Sequence, residues 1–588
     1  MKTSTNFARV AVTAGLTAAM ALGNVVAPAA MALADTGSTV TFVDNNYAAS
    51  TTYKGIQIFK AKVATTGGTQ TVSNIEWAND DAKKAVLDAI KAKDASFAGE
   101  NAQDAADWLN VHAGGGFPGT GTMVPSDDVL SMIAANLRAS NLWSTTTKDN
   151  TSLSGLEAGY WLFLTDTAGT PGGTSTDTFT SPVYVALDGV SATTVKPKKS
   201  VPTVEKKVLD DAEAAFVDPK TSDKWNDVAD SQIGQKINYR LTGTIANNYA
   251  TFDTYAYKFT DVLSRGLDYV DGSVEVYALN GNDYSSIDAS KYDVAFDNNT
   301  LTVEFKVGDG KKGLKDVAGV DANSKIVVFY KAKLNGNAEI GNADGNKGGN
   351  PNTVKLEYSN NPYAEGTGET IEETVADFAF KLNLNKVDQG TEKGLAGAVF
   401  TIQSDDANTE GQYVASKTDT TAHVVAGQLV TWPDANNLPD YVKFTSNDDG
   451  KIAVSGLDAG SYKVTEVQAP SDAYTKANPF TFTIKPKYDD KAMKVTGLTA
   501  SVSEAEGRTD IAFGTLDGTA GDYTLTGLEG TGTNAANGEV TINVGNAKSV
   551  GLPITGLDGV TLTWVAGGAV LVIGVAHLIH SRREESEE

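Results

Sequence analysis

Residues 382–402 read LNLNKVDQGTEKGLAGAVFTI, and the first five letters decide how the chain folds. In a strand, Leu382, Leu384 and Lys386 share a parity and point to one face. Two leucines assign that face to a core, so the lysine goes in with them. Residues 539–546, EVTINVGN, repeat the device, with Val540, Ile542 and Val544 carrying Asn546 inward. Between them, GLDAGSYKVTEVQAP (456–470) aligns Tyr462, Val464 and Glu466 on one face. An unpaired buried charge costs several kcal/mol, so the lysine, the glutamate and the asparagine are expected to meet.

Their chemistry supplies a reason. Desolvation lowers a lysine pKa and raises a carboxyl pKa, so a neutral Lys386 amine can attack the Asn546 amide while a protonated Glu466 polarises it. Fixed proximity contributes effective molarities on the order of 10⁵ M or more. Loss of ammonia would leave an intramolecular isopeptide bond.

An earlier stretch has the same logic with different letters. TVEKKV (203–208) puts Val204, Lys206 and Val208 on one face, YKFTDVLSRGLDYV (257–270) offers Asp261 after Phe259, and NTVKLEYSNNP (352–362) sets Val354, Leu356, Tyr358 and Asn360 on one face. Parity favours Lys206 and Asn360 over their neighbours Lys207 and Asn361. Nearer the N-terminus, STVTFVDN (38–45) lacks a lysine and AGYWLFLTD (158–166) carries Leu164 and Asp166 where a carboxyl would be sought, so no bond is expected there.

Around these trios the chain alternates polar and apolar residues between Gly, Asn and Asp turns, the pattern of antiparallel sandwiches. Helical periodicity is confined to about 80–93, 102–111 and 126–139; in the last, Val129, Leu130, Ile133, Ala134 and Leu137 form one face behind Ser126 and Asp127 as caps. The fold class is therefore mainly β: tandem immunoglobulin-like sandwiches, the first with helical insertions. Linkers are read at 194–204, where Pro197 and Pro202 stand among lysines, and at 362–374, which is polar and acidic. They divide the chain into a leader (1–34), domains at 35–197, 198–370 and 371–550, and a tail (551–588).

Both ends point to export. Lys2 and Arg9 precede an apolar stretch, and Ala32-Leu33-Ala34 before Asp35 has the form of a signal-peptidase site. Near the other end, Leu552-Pro553-Ile554-Thr555-Gly556 precedes an apolar run from Val560 to Ile579, long enough for a helix to span a membrane, and then Arg582 and Arg583 mark the inner side.

Composition excludes several functions. The 588 residues carry a net charge of −25, against the basic patches that nucleic-acid binding requires. Cysteine is absent, so an exported chain must be stabilised by cores or by another cross-link. Four scattered histidines make no metal-binding spacing, and neither a nucleophile elbow nor a P-loop occurs. The chain reads as a non-enzyme with no cofactor and no metal.

LNLNKVD, LAGAVF, GSYKVTEVQAP and VTINVGN together resemble the collagen-adhesin B-type immunoglobulin-like domains of Gram-positive surface proteins, whose reactive lysine, catalytic glutamate and terminal asparagine match Lys386, Glu466 and Asn546. APSDAY (469–474) departs from the Gly-Tyr that the family places after Ala-Pro. Residues 198–370 resemble the middle domain of backbone pilins, where an aspartate, here Asp261, replaces the glutamate. The LPITG tail is similar to a sortase sorting signal, which implies cleavage between Thr555 and Gly556 and transfer of the Thr555 acyl group to an amine. TTVKPKKSVP (193–202) resembles the pilin motif and assigns Lys198 as that amine, although the usual Tyr-Pro-Lys-Asn reads Lys196-Pro197-Lys198-Lys199 here, leaving Lys196 and Lys199 open.

The resemblance as a whole implies a major pilin of a sortase-assembled fimbria. Its partners would be pilus-type and housekeeping sortases, further copies of itself, minor or tip pilins and peptidoglycan, and it would reside on the cell surface after a membrane-anchored precursor stage. A monomeric wall-anchored adhesin is the alternative; its host ligand cannot be read from the sequence.

Overall fold

The computed structural model describes residues 37–548 except 44–50, 67–68, 114–123, 148–150, 170–175, 196, 198–199, 210–217, 343–347, 503–510, 513–514, 518–523, 527–531 and 535–537. The leader, LPITG, the apolar run after it, and Lys196, Lys198 and Lys199 lie outside these residues. Among the described residues no helix is long and apolar enough to cross a membrane.

The fold is mainly β, a series of sandwiches. In the first, a three-stranded sheet (Ser152–Leu156, Ser38–Phe42, Ala192–Val195) accompanies a five-stranded sheet built around Thr52–Thr66 and Gly159–Thr167. Three helices cover the larger sheet: α1 (Asp80–Lys93), α2 (Ala102–His112) and α3 (Val129–Leu137). Their starts follow from capping, because Asn79, Asn101 and Asp128 each accept a hydrogen bond from a first-turn N–H. The cap of α3 is thus Asp128 rather than Ser126 or Asp127: a turn bonding Asp128 N to Pro125 O delays the helix. Ile56, Val86, Ile90, Ile133 and Leu162 share the core beneath the helices.

The middle sandwich pairs two seven-stranded sheets. One contains Val204–Leu209, Lys236–Thr244 and Lys325–Leu334 as neighbours; the other contains Asn350–Ser359, Tyr257–Leu263 and Thr300–Phe305. The strand Glu373–Phe378 pairs antiparallel with Asn350–Ser359, so this sheet reaches past the 362–374 segment. Val375 packs into the middle core, whereas Ala376 and Phe378 pack into the next. One strand therefore serves two cores, which hides the boundary from composition.

In the third sandwich the opening strand Phe380–Asp388 lies between Lys451–Leu457 and the closing strand Glu539–Asn546, parallel to the latter. The opposite sheet places Gly460–Gln468 between Val399–Ser404 and Phe480–Asp489.

Polar contacts join successive sandwiches. Tyr462 OH donates to Gln232 Oε1 at 2.8 Å, Ala459 N donates to Asp230 Oδ1 at 3.1 Å, and Tyr488 OH donates to Asp230 Oδ2. Gly456, with φ of +83°, lets Ile233 approach so closely that a Cβ would meet its side chain at 2.1 Å. The first and middle sandwiches meet where Phe179 N donates to Asn360 O at 2.8 Å and Tyr358 OH donates to Thr176 O.

Candidate functional site

The strand Val204–Leu209 buries alternate residues, and that alternation separates two adjacent lysines. Lys206 lies in the core, its side chain fully enclosed. Lys207 faces outward and pairs with Asp227 at 2.5 Å on the surface. Lys206 Nζ donates to both oxygens of Asp261, at 2.5 and 2.6 Å, and to Tyr330 OH at 3.2 Å. The lysine and the tyrosine come from one sheet, the aspartate from the other.

Asn360 is not brought to this pair, a correction to the sequence reading. Its Nδ2 donates to Asp177 O at 3.4 Å, at the joint with the first sandwich. The register explains why: Asp261 lies opposite Val354 and Leu263 opposite Asn352. Asn360 has the right parity, but at about 3.4 Å per residue it stands roughly 20 Å farther along the strand. The amide that arrives is Asn352, fully buried on the same face. Its Nδ2 donates to Tyr330 OH at 2.6 Å, and that hydroxyl donates to Asp261 Oδ2 at 2.7 Å.

Burial dominates the electrostatics. It pushes the Lys206 amine down to about 8, against the pull of Asp261 that favours the ammonium. It raises the Asp261 carboxyl, against Lys206 and Tyr330, which favour the carboxylate. Both shifts favour a neutral amine beside a neutral acid, the protonation state in which lysine is a nucleophile. The rings of Tyr239 and Tyr330, stacked at 5.1 Å, lie 5.3 and 5.5 Å from Nζ and exclude water.

The third sandwich assembles Lys386, Glu466 and Asn546 differently. Lys386 and Asn546 sit on adjacent parallel strands, with Lys386 opposite Val544, so the asparagine is the next residue on the same face. Lys386 Nζ donates to Val544 O at 2.9 Å. From the opposite sheet, Glu466 Oε1 accepts from Asn546 Nδ2 at 2.8 Å, and Oε2 accepts from Ala477 N at 2.6 Å. All three side chains are buried.

The two sites share one further feature. The side-chain oxygens of Asn352 and Asn546 are buried without a hydrogen-bond partner among the described residues. Leaving a buried acceptor unmet costs about 1–3 kcal/mol.

Residues 233–362 match the family model described as Gram-positive pilin backbone subunit 2, Cna-B-like domain, and residues 380–499 match the prealbumin-like fold domain of the SpaA family. The chain is 23% identical over 414 residues to the trypsin-resistant surface T6 protein of Streptococcus pyogenes, covering 59% of this chain and 68% of that one. Among solved structures, the T6 backbone pilin of serotype M6 Streptococcus pyogenes is 15% identical, with TM-score 0.46 and 87% and 99% of the two chains covered. The full-length major pilin SpaD of Corynebacterium diphtheriae is 17% identical, with TM-score 0.42 and coverage of 87% and 98%.

The contrast between adjacent lysines is testable. Lys206→Ala strands a buried carboxyl and is expected to cost at least about 3 kcal/mol, whereas Lys207→Ala removes a surface pair and should cost under about 1 kcal/mol. Equilibrium denaturant unfolding followed by tryptophan fluorescence reads both; equal costs would contradict the placement of Lys206.

Proposed function

We propose that this chain, which carries a Gram-positive pilin-backbone domain and a SpaA-type prealbumin-like domain, is the shaft-forming subunit of a covalently polymerised surface pilus. The observation that carries the proposal is the pair of buried lysine, carboxyl and amide constellations, each set between the opening strand of its sandwich and a strand at or near its close.

In each constellation the lysine Nζ attacks the asparagine Cγ, the Cγ–Nδ2 bond breaks, and ammonia leaves. Lys206 joins Asn352 under Asp261, and Lys386 joins Asn546 under Glu466. Each bond closes a loop of about 150 residues and removes on the order of 5 kcal/mol of unfolded-state entropy on the loop-closure model. The bonds also direct load. Force arriving at Phe380 passes along its strand to Lys386, crosses to Asn546 and leaves, so the residues between are not pulled. In the middle sandwich the load crosses from Lys206 to Asn352.

Polymerisation requires an amine near one end of the subunit and a transferable acyl group at the other. We assign the amine to Lys198, which lies between the strands Ala192–Val195 and Val204–Leu209, and the acyl group to Thr555. Each copy presents both, so the contact does not close on itself and a filament results. In this reading a sortase joins Thr555 to Lys198 of the next copy, the mature chain is attached to the cell wall, and the only chemistry the chain performs is on itself.

Intact mass tests the cross-links. A 35–550 fragment should weigh about 34 Da less than its sequence, two ammonias of about 17 Da. Lys206→Ala, Asn352→Ala and Lys386→Ala should each restore about 17 Da, and Asn360→Ala should restore none. A full sequence mass in the unmutated fragment would refute both bonds.

Polymerisation is tested separately, by blotting boiled cell-wall extracts of the wild type and Lys198→Ala. A high-mass ladder that collapses in the variant supports the shaft. A single band in both contradicts it and leaves a monomeric wall-anchored adhesin.

A further inference from the structure

The two sites differ in how the carboxyl reaches the amide that loses its nitrogen. Glu466 touches Asn546 Nδ2 directly, at 2.8 Å. Asp261 is one methylene shorter, and no hydrogen bond joins it to Asn352 among the described residues; Tyr330 OH lies between, 2.7 Å from Asp261 Oδ2 and 2.6 Å from Asn352 Nδ2. Because the hydroxyl gives its proton to Asp261, the amide atom that faces it is the donor Nδ2, the leaving nitrogen. The same hydroxyl is 3.2 Å from Lys206 Nζ. One oxygen thus contacts the nucleophile, the acid and the leaving group.

We propose that Tyr330 is a catalytic residue of the middle sandwich, relaying a proton from Asp261 to the departing nitrogen of Asn352. This rests on the isopeptide reading above. The steps balance as follows. Lys206 first passes a proton to Asp261 and becomes a neutral amine. Its lone pair forms the bond to Asn352 Cγ, and the carbonyl π pair moves to oxygen. The Asp261 proton moves to Tyr330 oxygen while the Tyr330 proton moves to Nδ2, reversing the resting direction of the hydrogen bonds. The oxygen pair returns, the Cγ–Nδ2 bond breaks and ammonia leaves. The new amide nitrogen sheds its extra proton to Asp261, which hands it to the departing ammonia, so Asp261 returns to the carboxylate and the nitrogen leaves as ammonium. The tyrosine ends as it began. Burial holds its phenol well above the ordinary tyrosine range, so it passes a proton on only as it receives one.

Tyr330 also stacks on Tyr239 with an interplanar angle of 14°, a contact that phenylalanine retains. The test follows the full-length chain at successive times after synthesis, digesting it and quantifying the linked peptide that contains Lys206 and Asn352. The linked peptide containing Lys386 and Asn546 serves as internal control for folding. Tyr330→Phe should slow formation of the first peptide at least tenfold and leave the second unchanged. An unchanged rate for the first overturns the relay.

A second variant keeps the test sharp if the loss of the hydroxyl disturbs packing. In Tyr330→Phe with Asp261→Glu, the longer carboxyl reaches the amide as Glu466 does, and linkage should run faster than in Tyr330→Phe alone. A double variant no faster than the single one overturns the relay. Absence of the linked Lys206 peptide from the unmutated chain would overturn the isopeptide reading itself, an outcome distinct from either result with the variants.

Discussion

A lysine cannot be left charged and alone inside a β-sandwich, and this constraint organises both of the sites described above. An isolated buried ammonium costs several kcal/mol of desolvation, so each buried lysine is met by partners from other strands. In the middle sandwich these are Asp261 and Tyr330, within a wall of tyrosines. In the third they are Val544 O from the neighbouring strand, with Glu466 and Asn546 beside it. In the proposed reaction, conversion of amine and amide to a secondary amide would remove the charge and turn a destabilising burial into a covalent tie.

The two sites bring lysine, carboxyl and amide together through different topologies. In the third sandwich the lysine and the asparagine share a sheet on parallel neighbouring strands, and the acid comes from across the core. In the middle sandwich the lysine comes from one sheet and the acid and amide from the other, so a bond there joins the two layers. The shorter acid of that site is accompanied by Tyr330, which occupies the missing reach. Asn360, freed from the chemistry, bonds to Asp177 and Phe179 and helps fix the first sandwich to the middle one.

Strand parity made much of this legible in the sequence. Lys386, Glu466 and Asn546 are all readable from the period of two, as is the choice of Lys206 over Lys207, because parity states which face a residue occupies. It does not state how far along the strand a partner lies. Asn352 and Asn360 share one face of the same strand, and only the register with Tyr257–Leu263 separates them. Tyr330 had no signal, since IVVFYKA reads as ordinary core and its hydroxyl becomes notable only beside Asp261. That Glu373–Phe378, at the end of the 362–374 segment, belongs to one sheet while contributing to two cores has no signal in composition. Lys198 and Thr555 lie outside the described residues, and their roles rest on motif and position alone.

The most direct test of the account is an experimental crystal structure of the extracellular chain at a resolution that separates bonded from non-bonded atoms. Continuous density is expected from Lys206 Nζ to Asn352 Cγ and from Lys386 Nζ to Asn546 Cγ, with C–N lengths of about 1.33 Å. Separate side chains at either pair, with Lys206 held to Asp261 as a plain ion pair or Asn546 intact beside Glu466, would contradict it.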